Sequence, residues 1–121
     1  MRLPTLTLAA TLLATTPTLA HEAAGKNGGR IIDAGTYHVE LVAKDRTVDV
    51  YLLDGSENPV SATGFKANAT LVVGGKPARV TLTPADGNKL TGTAEVSLPV
   101  NPKGAVVLTA PDGTSASGKL N

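Results

Sequence analysis

From Tyr37 to Leu53 apolar and polar positions alternate. Tyr37, Val39, Leu41 and Ala43 interleave with His38, Glu40 and Val42. Beyond Asp45-Arg46, Val48, Val50 and Leu52 interleave with Asp49, Tyr51 and Leu53. A period of two on both sides of a short turn predicts a half-buried β-hairpin. Pairing Lys44 with Thr47 sets Val39 against Leu52 and Leu41 against Val50, so both apolar sets share one face. His38, Glu40, Asp49 and Tyr51 then share the outward face, with Tyr51 opposite Glu40.

The same pattern recurs downstream. Phe65, Ala67, Ala69, Leu71 and Val73 point one way, Gly74-Gly75-Lys76-Pro77 turns the chain, and Ala78, Val80 and Leu82 return on the same face. "TPADGNK" reads as a further turn. "LTGTAEVSL", "GAVVLTA" and "TSASGKL" read as three more strands, separated by Pro99–Lys103 and by Pro111-Asp112-Gly113. No segment has a helical period of useful length. Short strands with regular turns predict a sandwich or small barrel; the expectation adopted is an immunoglobulin-like antiparallel β-sandwich of seven or eight strands, over residues 30–121. Residues 21–29, "HEAAGKNGG", contain no apolar residue larger than alanine and are expected to form a flexible arm.

The first 20 residues change the picture, because they read as a secretory signal: Arg2 is the basic start, an apolar stretch follows, and Thr18 and Ala20 are the small residues before the cut. The stretch is too short for a membrane span, and no second one of about 20 residues follows. The expected product begins at His21, is exported to the periplasm, is not embedded in the membrane and is monomeric. The chain has no cysteine, hence no disulfide and no lipidated cysteine. Apart from Arg2, basic and acidic side chains are equal in number, and only three residues are aromatic. That balance argues against a nucleic-acid partner.

Candidate chemistry centres on the two histidines. A mature chain starting at His21 presents an α-amino nitrogen and an imidazole on one residue, a pair suited to Cu(II), with zinc second. His38 is the only other imidazole, and Glu40 and Asp49 are carboxylates on its hairpin face. The tentative metal set is therefore His21, His38, Glu40 and Asp49. The ordinary readings are a polar tail residue for His21 and a solvated sheet face for the others. "VVGGKP" lacks the spacing of a phosphate loop, "DGNKLTGTAE" lacks that of a calcium loop, and no serine has a nucleophile elbow, so no enzyme is expected.

The stretch "NGGRIIDAGTYHVELVAKDRTVDVYLLD", with Gly28-Gly29, Tyr37, His38 and Glu40, resembles small periplasmic proteins of proteobacteria and the N-terminal region of periplasmic adaptor subunits of heavy-metal efflux systems. The likeness runs over roughly residues 27–99. It implies a sandwich-like periplasmic domain found with transition-metal handling. Where many such proteins carry further histidines this chain has Asn27 and Gly55, so only His38, with Glu40 beside it, carries over. Two functions follow as expectations: a periplasmic copper-binding accessory or carrier linked to metal efflux, with an efflux adaptor or envelope protein as partner, or a metal-free interaction or structural module.

Overall fold

The computed structural model describes residues 23–121, and these contain strands and turns without a helix. The strands are β1 (Ala23–Ala24), β2 (Arg30–Ala34), β3 (Tyr37–Lys44), β4 (Thr47–Leu53), β5 (Lys66–Val73), β6 (Lys76–Pro84), β7 (Lys89–Thr93), β8 (Lys103–Thr109) and β9 (Ser115–Leu120). The expected all-β antiparallel architecture is present. Instead of two separate sandwich sheets, the strands form one ladder in the order β1-β2-β3-β4-β7-β6-β5-β8-β9, curled into a nearly closed, barrel-like sheet.

The first hairpin has the register that its alternation predicts, with Lys44 opposite Thr47, Val39 opposite Leu52 and Glu40 opposite Tyr51. Its inward residues Val39, Leu41, Val48, Val50 and Leu52 are buried. In the second hairpin Ala67, Ala69, Leu71, Val80 and Leu82 are buried, again as the alternation requires. The turn is tighter than the sequence pattern suggests. Val73 pairs with Lys76, leaving Gly74 and Gly75 as the two turn residues, both at positive φ. Two consecutive positive-φ residues match the twist of a two-residue hairpin, and glycine accepts them without strain. Lys76 and Pro77 thus belong to β6.

The ladder curls at two places. Along β6, residues up to Leu82 pair with β5, while Thr83 and Pro84 pair with β7. At the other end β2 lies against β9. A Cβ on Gly118 of β9 would sit 2.7 Å from the Asp33 carbonyl oxygen, so only glycine allows the strands so close. Arg30 of β2 pins this seam by donating to the backbone carbonyls of Pro102 and Asn121.

The enclosed core is aliphatic, with Phe65 packed edge-on against Tyr37 at 5.3 Å between ring centres. "LTGTAEVSL" is strand only as far as Thr93. Beyond it the Ala94 and Leu98 N–H groups donate to the carbonyls of Arg46 and Asp45, and the chain caps the β3–β4 turn.

Leu90 is fully buried, whereas Val107 faces outward. Leu90→Ala is expected to remove about 2–5 kcal/mol from the unfolding free energy, and Val107→Thr to change it by no more than about 0.5 kcal/mol. Urea unfolding of both variants checks the assignment of faces.

Candidate functional site

The outward surface of β2, β3 and β4 carries the residues singled out by sequence. Two rows cross it. Asp33, His38 and Leu53 occupy one, and Ile31, Glu40 and Tyr51 the next, which Lys89 of β7 extends. His38 is half-buried. Its Nε2 lies 3.1 Å from Asp33 Oδ1, and its Nδ1 lies 3.9 Å from Glu57 Oε1. Nδ1 is itself buried and makes no hydrogen bond. The imidazole is thus held by a carboxylate on one side, with the other ring nitrogen facing a second carboxylate without a partner.

Glu57 reaches this position through the loop after β4. Asp54 Oδ1 accepts the backbone N–H groups of Ser56 and Asn58, and the Asp54 N–H donates to the Asn58 carbonyl. This knot holds Glu57 at φ 63°, a left-handed conformation that a non-glycine residue adopts only when its surroundings impose it. The Asn58 N–H, together with that of Ser56, keeps the Asp54 carboxyl below its ordinary value of 3.8.

Glu40 departs from its expected environment. It lies on the outward side of β3 in register terms, yet it is 2% exposed, the one buried charged or polar residue among the described residues. The segment preceding β2 covers it. Glu40 Oε2 accepts the backbone N–H groups of Asn27 and Gly29, both at 2.8 Å, and Oε1 accepts the Asn27 side-chain amide at 3.0 Å. Gly25 passes so close that a Cβ there would lie 2.0 Å from the Glu40 carboxyl carbon. The glycines of "GKNGG" are therefore the shape of this lid, and residues 23–29 of the segment read as an arm form β1 and the turn seated on Glu40. With its oxygens taken up by the lid, Glu40 anchors it and does not face His38 as a free ligand.

Asp49 also lies apart from His38. It pairs with Val42 in register, four residues along β4 from the partner of His38, a separation of about 13 Å. Its Oδ1 accepts the Thr91 hydroxyl at 2.6 Å. His21 lies outside the described residues. Tyr51 and Glu57, with Lys26, Asn27 and Asn88, border a groove of about 370 Å³ beside the lid. Among the described residues no three His, Asp or Glu side chains converge tightly enough to hold a metal ion by themselves.

The structure thus brings His38 together with Asp33 and Glu57, and sets Glu40 and Asp49 to other work. Asp33, opposite His38 in the β2–β3 pairing, was not singled out by the sequence pattern. Glu57 is 19 positions from His38, and its only sequence signal is the turn chemistry of "DGSEN". Comparison with family models, curated proteins and solved structures gives no match. Nothing in those comparisons links the chain to the efflux adaptor domains that its motif resembles.

Glu40→Ala would leave two backbone donors without their acceptor, and is expected to lower stability by about 1–3 kcal/mol. The Asn27 and Gly29 amides should lose hydrogen-exchange protection, while the β5–β6 amides keep theirs. Asp54 should titrate below an unstructured aspartate. Because its folded pKa is depressed, its contribution to stability is present above the unfolded value and is lost as pH falls through the folded one. An Asp54 titration followed by NMR, with Asp54→Asn removing that acid-side slope in stability, checks the sign.

Proposed function

We propose that the protein is a periplasmic transition-metal binding accessory or carrier, with Cu(II) as its metal and zinc as the second choice. The observation that carries the reading is the half-engaged imidazole of His38. Histidines that ligate metals commonly have their other ring nitrogen fixed by a carboxylate, which orients the ring and raises its basicity. Asp33 stands in that position at Nε2. The unpartnered Nδ1 supplies the lone pair, and Glu57 supplies an oxygen. Their 3.9 Å separation is that of two ligand atoms on nearly opposite sides of one ion, each about 2 Å from it, as a tetragonal Cu(II) site allows.

Two ligands do not make a tight copper site, and His21 is the proposed source of the remaining nitrogens. Ala23 lies opposite Ile31, and Asp33 is two residues further along β2. His21 precedes Ala23 by two residues, a reach of about 7 Å at full extension. The two-residue step from His21 to Ala23 matches that from Ile31 to Asp33, so chain length does not keep His21 from this site. Cleavage after Ala20 would add its α-amino nitrogen. In this reading Glu57 replaces Glu40 and Asp49 as the oxygen ligand. The role is carriage or buffering in the envelope, with delivery to a metal-handling partner such as an efflux adaptor.

Cu(II) titration of the processed protein by electron paramagnetic resonance tests this. The expected result is a one-to-one, nitrogen-rich signal. His38→Ala and His21→Ala should abolish it, and Asp33→Asn should weaken affinity by about 10–100-fold. An unchanged signal in His38→Ala would sink the proposal.

A further inference from the structure

The chain is close to neutral, but its charge is divided unevenly over the sheet. Strands β5, β6, β8 and β9 carry Lys66, Lys76, Arg79, Lys103 and Lys119 and contain no Asp or Glu. All five basic residues are exposed. None of the five is in an ion pair among the described residues. Strands β2, β3, β4 and β7, by contrast, mix Arg30, Lys44 and Lys89 with Asp33, Glu40 and Asp49. Acids border the basic half on its rims: Asp33 of β2 shares a pocket with Ser117 and Lys119 of β9, Asp112 accepts the Thr114 hydroxyl, and Glu95 lines a pocket with Lys76 and Arg79.

The register fixes how these charges are spread. Arg79, Thr70, Ala105 and Lys119 form one row across β6, β5, β8 and β9, placing the two cations about 14 Å apart. Lys103 lies opposite Val72, six residues along β5 from Lys66, or about 20 Å. Between them the face presents Asn68, Thr70, Val72, Thr81, Val107 and Ser117, all exposed.

Lys103 and Lys119 lie on neighbouring strands two residues out of row, about 8 Å apart, but Lys66 and Arg79 stand farther from them than one small anion can span, so a ligand that engages all four must be an extended array of negative charge. Protein partners are held mainly by aromatic and arginine anchors in well-packed pockets. This face offers small aliphatic, hydroxyl and amide groups and no aromatic side chain. Dispersed charge on a surface of that kind fits adsorption to a plane of anionic headgroups.

We propose that the outward face of β6, β5, β8 and β9 docks on an anionic lipid bilayer as a peripheral, electrostatically held surface. The inference stands independently of any metal.

Cosedimentation with vesicles tests it, using phosphatidylglycerol mixed into phosphatidylcholine against phosphatidylcholine alone. The expected result is binding to the anionic vesicles only, falling steeply with salt. Each of Lys66→Gln, Arg79→Gln, Lys103→Gln and Lys119→Gln should weaken partitioning by about fivefold, and the fourfold variant should remain in the supernatant. Lys44→Gln and Lys89→Gln, on the other half of the sheet, should bind as the parent does. Thermal unfolding confirms that each variant is folded, and the salt dependence of the parent provides a readout free of substitution. Equal binding to both vesicle types, or unchanged binding by the single variants, would overturn the proposal. Retention on immobilised polyglutamate without vesicle binding would overturn it too, in favour of an acidic polymer chain.

Discussion

The structure depends on a core of aliphatic side chains in which alanine is as frequent as leucine and only one residue, Phe65, is aromatic. Seven of its buried positions are alanines: Ala34, Ala43, Ala62, Ala67, Ala69, Ala94 and Ala110. At those alanine positions a side chain cannot fill the space between widely separated layers, and an unfilled interior forfeits both hydrophobic and dispersion energy. The ladder must therefore curl tightly. Close approaches at Gly118 and at Gly92, where a Cβ would meet the Thr81 carbonyl, let the backbones come near enough. The interior admits no outsized group, which leaves binding chemistry to the outer surfaces.

Those outer surfaces divide the labour. On the β2–β3–β4 side a buried carboxylate organises a glycine-rich lid. Beside it an imidazole sits between two acids. Among the described residues the β5–β9 side carries no lid, only exposed cations among small residues. The two sides meet at the Arg30 seam and along β6. Arg30 donates to the backbone carbonyls of Pro102 and Asn121 across that seam.

Much of this was legible in the sequence, because alternation reports directly on which face a strand residue occupies. The β3–β4 register and both hairpin cores followed from it. What alternation cannot report is what covers an outward face. Glu40 was read as solvent-facing because its parity said so, and its burial is a tertiary event created by residues 25–29. The glycines of "GKNGG" are what let that segment approach the carboxylate. Sharing a hairpin face did not make Asp49 a neighbour of His38, since strand length separates them. Glu57 escaped notice because loop residues carry no parity. Closure of the ladder was illegible for a similar reason. The joins of β4 to β7 and of β5 to β8 link segments far apart in the chain, and neither strand's own pattern names its distant partner.

Those two joins bear on how the molecule assembles. Pairs β2–β3, β3–β4, β5–β6 and β8–β9 link sequence neighbours across short turns, so each can form locally. The β4–β7 and β5–β8 pairs close much longer loops and must wait for that entropy to be met. Hairpins come first in such a scheme, and their docking along the two non-local ladders sets the pace. The barrel is then a late product of folding, and the His38 surface, built on an early meander, takes shape before the interior beneath it is sealed.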